Sequence, residues 1–321
     1  MSDRTRLLEY TQPGVWPPRR RGRLAARIHD LHAGGDSRLS ESARPAGGYP
    51  ARGLALIGLA DDQGVRLNGG RPGAAQGPDA FRSGLAGYGS AESVGLQGLD
   101  APILDLGNVI PGRDLHETHE RVTATVSAAL EFDLMPIGIG GGHDLTFPEV
   151  RALIDSRFRP AGQRVDGVYF DAHLDVREED GSGMPFRRLI EHGGLGRLSL
   201  FGFDPLVNSR EHLDWFLANG GELAEWSSAQ WPRARAQFVS ICLDVLDIAQ
   251  APGVSAPNPA GWSVQRLADY AEAAGGQSSV CCLDLMELSP TYDTDGRTAR
   301  VAAYLFLRFL SGFADREEAG R

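Results

Sequence analysis

The chain has 321 residues, 42% of them hydrophobic and 8% aromatic, which is enough to bury an ordinary core and argues against disorder. Its net charge is −10 and all 32 basic residues are arginine, which argues against a general binder of nucleic acid or anionic membrane, since such binding needs a basic surface. Cys242, Cys281 and Cys282 are too few for a disulfide framework, no apolar run approaches the roughly 18 residues of a membrane span, and the N-terminus lacks a basic-then-apolar leader, so a cytoplasmic chain with no membrane partner is expected.

The first 50 residues are polar and weakly patterned, and are read as an N-terminal arm, with 51–315 as one α/β domain. Within the arm, PPRRRGR (17–23) reads as a solvated basic stretch rather than a nucleic-acid patch. GLALIGLADD (53–62) predicts a buried strand ending in acids, followed by a Gly-rich loop whose end, near residue 85, has helical character. DLGNVIPG (105–112) reads as a strand end and turn. HETHERVTATVSAALEF (116–132) has helical spacing, with Val122, Val126 and Leu130 on one face and His116 and His119 assigned to the exposed one. Strand-then-loop units recur at 134–144, 165–175, 195–203, 238–247 and 279–288, and Cys281 and Cys282 read as buried small apolar residues in the last. Short apolar runs alternating with helical segments predict βαβ units and a parallel sheet buried on both faces. In such sheets ligands bind beyond the carboxyl ends of the strands. Asp61, His143, Asp171, Asp244 and Glu287 fall at those ends.

Three stretches carry the chemistry. IGIGGGHD ends in three glycines, Gly140 to Gly142, followed by His143; it has neither GxGxxG spacing nor a Walker lysine. FDAHLD places Asp171, His173 and Asp175 on alternate positions, which on an extended segment point the same way. VSICLDVLD adds Asp244. Carboxylates and imidazoles in this combination suit a divalent metal, and the repeated pattern outweighs the bland alternative of helix caps and arginine partners.

GGGHD, DAHLD, SICLDVLD followed by APGVSAP, and LDLMELSP occur in an order and spacing that resemble the arginase/agmatinase/formimidoylglutamase (ureohydrolase) superfamily, over residues 51 to about 312. The resemblance implies a three-layer α/β/α fold with a central parallel eight-stranded sheet, of the arginase/deacetylase type. It also implies two Mn²⁺ ions, hydrolysis of a C–N bond in a guanidine or amidine, and a homo-oligomer. Carried over, His143, Asp171 and Asp175 belong to one metal, and Asp171, His173 and Asp244 to the other. Glu287 contacts the cationic head of the substrate. In the mechanism read from these residues, Asp175 carries the proton to the leaving amino group.

Within the superfamily, GVRLNGGRPGAAQGPDAFR, GSGMPF (181–186) and SPTYDTDGRTARVAA resemble the formimidoylglutamase branch, which converts N-formimidoyl-L-glutamate and water to L-glutamate and formamide in histidine degradation. On this reading Asn68, Arg71, Ser182 and Gly183 bind substrate, with Arg71 and Asn68 taking one of its carboxylates. The alternative for Arg71 is a loop staple to Asp79 or another acid.

One position departs from the family. Its S-x-D-x-D motif reads Ser240–Ile241–Cys242–Leu243–Asp244 here, with Cys242 in place of an acid that would bridge both metals. Cys242 as a ligand favours an ion softer than Mn²⁺. A single metal on Asp171, His173 and Asp244, as in a deacetylase-like amide hydrolase, and a metal-depleted pseudoenzyme are the alternatives.

Overall fold

Ten strands form one sheet in the computed structural model, which describes residues 3–18, 28–33, 53–89, 99, 101–156 and 163–319. They are β1 (Thr11–Gln12), β2 (Ile28–Asp30), β3 (Gly53–Gly58), β4 (Ile103–Val109), β5 (Leu134–Ile139), β6 (Val165–Phe170), β7 (Leu195–Phe201), β8 (Gly221–Leu223), β9 (Gln237–Cys242) and β10 (Val280–Met286). The order is β1-β4-β3-β5-β10-β9-β6-β7-β8, with β2 also paired to β4. The eight strands from β3 to β10 are parallel to their neighbours, in line with the expected parallel sheet. Two short strands extend it at one edge: β1 pairs antiparallel with β4, and β2 pairs parallel. These segments are too short for a periodic signal, and their pairing supplies partners for edge amides and carbonyls that sequence pattern alone does not reveal. Residues 19–23, the arginine-rich part of PPRRRGR, lie outside the described residues.

Nine helices stand among the described residues: α1 (Asp3–Leu7), α2 (Gln63–Leu67), α3 (Gly77–Ala86), α4 (Leu115–Glu131), α5 (Thr146–Asp155), α6 (Pro185–His192), α7 (Arg210–Ala218), α8 (Val264–Gly275) and α9 (Arg297–Ala319). The strands alternate side chains between two cores. Leu54, Leu56, Ile137, Val168, Phe170, Leu283 and Leu285 pack on one face with residues of α3, α8 and α9. Ala55, Ile57, Leu104, Tyr169, Cys282 and Met286 pack on the other with residues of α4 to α7. Burial on both faces is why the strands read as continuous apolar runs.

In α4, Asp114 accepts a hydrogen bond from the Glu117 amide and caps the first turn, while Val122 and Val126 are buried as the spacing predicts. His119 is corrected: it is buried, and its Nε2 lies 3.0 Å from Asp144 Oδ2. The glycine turn at 140–142 brings that acid to α4, a long-range contact that the local charge pattern does not encode. No helix among the described residues is long and apolar enough to cross a membrane.

Candidate metal centre

The strands β5, β10, β9 and β6 are neighbours, so their carboxyl ends meet in one place. His143 follows β5, Glu287 follows β10, Cys242 ends β9 with Asp244 two residues on, and Asp171 follows β6. The turn at 140–142 is laced to the end of β10: Gly140 N donates to Leu285 O, and Glu287 N donates to Gly141 O. Gly141 has φ +78°, and a Cβ there would stand 2.2 Å from Leu59 O, so only glycine fits.

Asp171, His173 and Asp175 do converge, with donor atoms within 4.8 Å of one another, but not by strand alternation. The strand stops at Phe170, and the segment then turns. Asp171 Oδ1 accepts from the His173 amide at 2.7 Å, and Asp175 sits at φ +48°. Asn208 holds the turn through Leu174 N and Ala172 O, and Tyr169 Oη donates to Leu174 O. Glu287 is also left-handed, at φ +68°. Such non-glycine residues cost about 1–3 kcal/mol each and gather at functional sites.

The cluster is rich in acceptors. Ser240 Oγ spends its hydrogen on Asp284 Oδ1 at 2.6 Å, so the 3.0 Å contact between Ser240 Oγ and His143 Nε2 needs a hydrogen on Nε2. His143 Nδ1 faces Asp171 Oδ2 at 2.9 Å and Asp175 Oδ2 at 2.8 Å; burial works to lower the imidazole, but these two carboxylates raise it well above its ordinary value. Neither contact meets hydrogen-bond geometry; Nδ1, Asp171 Oδ2 and Asp244 Oδ1 are buried without hydrogen-bond partners. Asp171 turns its other oxygen, Oδ1, towards His173 Nδ1 at 3.1 Å, and His173 Nδ1 lies 3.9 Å from Asp244 Oδ2. Asp171 thus stands between two donor groups. Cys242 Sγ, a ring nitrogen of His143 and an Asp171 oxygen are also within 4.8 Å of one another.

The electrostatics follow from this crowding. Burial, together with the charge of Asp171, raises the Asp175 carboxyl above its ordinary value, and burial with Glu287 raises Asp244 well above. Burial pushes Glu287 up to about 7, against hydrogen bonds from Ser255 and the His143 amide. Burial also raises the Cys242 thiol well above its usual value, reinforced by Asp171 and Asp244. Burial works to lower His173, but Asp171 lifts it to about 10. Such groups are held by protons only until a cation replaces them, and the donor set fits divalent metal.

The other expected residues lie around the centre. Asn68 Nδ2 donates to Ser182 Oγ at 3.1 Å, and a Cβ on Gly183 would come within 2.9 Å of that Nδ2, so the 181–183 turn and the Gly-rich loop meet at this pair. Arg71 stacks on Tyr292, and its guanidinium donates to the carbonyls of Val254 and Ser255. Asp79 is not its partner; that acid accepts from Val15 N, Asn108 and Arg82. Arg71 touches the centre indirectly, because Ser255 Oγ donates to Glu287 Oε2. Asp61 stays outside the cluster, where it accepts from Gln63 N and Thr118 Oγ1. Ser240, Thr146 and Asp284, which orient His143, were missed by reading the motifs alone. The available signal was an acid, Asp284, inside the apolar run VCCLDLM.

A family model described as "Arginase family" matches residues 52–312. The chain belongs to the arginase family. The family match spans every element from β3 to β10 and all of the clustered residues. Among curated relatives, the formimidoylglutamase of Rhodococcus opacus is 32% identical over 80% of this chain and 84% of the relative. That of Salmonella paratyphi B is 33% identical over 78% and 83%. A crystal structure of Trypanosoma cruzi formiminoglutamase with Mn²⁺ superposes with a TM-score of 0.73 at 32% identity, covering 82% of this chain and 94% of that one.

Proposed function

We propose that this chain hydrolyses N-formimidoyl-L-glutamate to L-glutamate and formamide, at a centre that holds two divalent metal ions. The observation that carries the reading is the gathering of buried carboxylates and imidazoles at neighbouring strand ends: His143 Nδ1 lies within 2.9 Å of Asp171 Oδ2 and Asp175 Oδ2, and Asp171 Oδ1 lies 3.1 Å from His173 Nδ1. The names of the relatives support the substrate, and the Mn²⁺ in the Trypanosoma structure supports manganese as an ion the family site accepts.

His143, Asp171, Asp175 and Cys242 would hold one ion, and Asp171, His173 and Asp244 the other. Bound there, the ions supply Lewis acidity, making a nucleophile of water at neutral pH and offsetting negative charge as it develops. The chain's own residues do the rest. Glu287, fixed by the His143 amide and Ser255, offers carboxylate charge to the amidinium. Asp175, 2.8 Å from His143 Nδ1, is assigned the transfer of a proton to the leaving nitrogen of glutamate. Asn68, Ser182 and Gly183 form the turn assigned to substrate carboxylate, and Arg71 fixes the loop that presents Ser255. The reading includes a cytoplasmic enzyme that assembles as a homo-oligomer, as the family resemblance implies.

The test is formamide and glutamate release from formimidoyl-glutamate by metal-loaded protein. Glu287→Gln is expected to lower kcat/KM by about 100-fold or more with metal content unchanged, the scale of losing one charged transition-state contact. No release by metal-loaded wild type would overturn the substrate; near-normal turnover of the variant would remove Glu287 as the anchor.

A further inference from the structure

The three cysteines differ in what their sulfurs meet. Cys281 Sγ donates to Gln237 O at 3.3 Å and Cys282 Sγ to Glu149 Oε1 at 3.4 Å, both inside the core. Cys242, 1% exposed at the end of β9, instead has its sulfur within 4.8 Å of a ring nitrogen of His143 and an Asp171 oxygen. Those two residues, 1% and 0% exposed, each carry a buried atom without a hydrogen-bond partner, His143 Nδ1 and Asp171 Oδ2, and these atoms stand 2.9 Å apart. A neutral thiol adds little to a cluster of buried carboxylates and imidazoles. A thiolate on a metal adds more, because the ion compensates the sulfur and the carboxylates together.

We propose that Cys242 is a metal ligand on the His143 side of the cluster, and that it turns the preference of this subsite from Mn²⁺ towards thiophilic ions, Co²⁺ and Zn²⁺ among them. On binding, the S–H bond breaks, its proton leaves to solvent and a metal–sulfur bond forms, with no change of oxidation state. The softness of sulfur sets the direction: nitrogen and carboxylate oxygen serve Mn²⁺ well, whereas thiolate selects later and softer ions. The inference rests on the metal reading of the site and not on the substrate.

The experiment uses the full chain, stripped of metal and then loaded with Co²⁺. Wild type is expected to show an intense near-ultraviolet sulfur-to-cobalt charge-transfer band that Cys242→Ser and Cys242→Asp lack. In a second measurement, wild type and Cys242→Asp are equilibrated with equal Mn²⁺ and Zn²⁺ and their bound metal is counted. Zn²⁺ outcompetes Mn²⁺ at most sites, so the readout is the change in ratio, expected to fall by at least about tenfold in the Asp variant. Cobalt bound to wild type without a charge-transfer band, or an unchanged ratio, overturns the proposal. So does cobalt bound by the Asp variant and not by wild type. If the Asp variant fails to fold, the wild-type and Ser spectra decide. Failure to hydrolyse formimidoyl-glutamate would leave these results standing, and failure of these results would leave the substrate reading open to its own assay.

Discussion

Two buried polar clusters in this molecule are built on opposite principles. At the β3–β4 edge, Arg82 is 1% exposed and its guanidinium is fully engaged: Nε and Nη2 donate to the two oxygens of Asp105, Nη1 to Asn108 Oδ1 and Nη2 also to Gly107 O. Asp105 takes two further hydrogens, from Trp16 Nε1 and the Gly107 amide. Burial would raise that carboxyl, yet Arg82 holds it below its ordinary value. Every charge there has its opposite within the chain. At the carboxyl ends of β5, β6, β9 and β10 the count fails, because the carboxylates outnumber the two imidazoles, His143 and His173, and Asp175, Asp244 and Glu287 are raised rather than lowered. The first cluster is balanced as folded, whereas the second leaves raised carboxyl groups that suit a divalent cation. Burial is common to both, so charge balance is what separates a structural knot from a binding centre.

The comparison breaks most sharply at Arg82. Arg82→Met leaves Asp105 a lone buried charge, and urea unfolding is expected to show a loss of about 3–5 kcal/mol, with metal content of the folded fraction unchanged. Loss of metal with little loss of stability would mean that the two clusters are not separate. A smaller effect is expected from Ser240→Ala, which removes the acceptor that keeps the hydrogen on His143 Nε2. Metal affinity measured by chelator competition should fall by about 10–100-fold, the scale of losing the partner that orients a histidine ligand. Unaltered affinity would show that Phe186, packed edge-on against the ring, orients it alone.

The most graded effect is with pH. In metal-free protein Glu287 titrates near 7 and Asp284 near 6, both raised by burial. The folded state therefore binds more protons than the unfolded chain from about pH 4.5 to about pH 7, and its stability falls as pH rises through that window. His173, raised to about 10, acts in the same direction above its unfolded value. The melting temperature without metal should drop by a few degrees between about pH 5 and about pH 7.5, while the increment from saturating Mn²⁺ grows. A metal-free melting temperature that rises across this window would contradict the acceptor surplus.

By itself the sequence determined the strand runs, because strands buried on both faces must be continuously apolar, and it determined which residue types gather at their ends. The motifs GGGHD, DAHLD and LDLMELSP carried the family, and Cys242 stood out against them before any coordinates. Only the tertiary structure decided the order β5-β10-β9-β6 that brings four strand ends together, since pairing among parallel strands is set by long-range packing. It also decided that Asp171, His173 and Asp175 meet through a turn with Asp175 at positive φ, and that His119 faces inward to Asp144. Ser240 reads as an ordinary strand residue until Asp284 of β10 and His143 of the following turn are set on either side of it. Local pattern reports burial and periodicity; which hydrogen reaches which acceptor depends on residues 44 and 97 positions away in the chain.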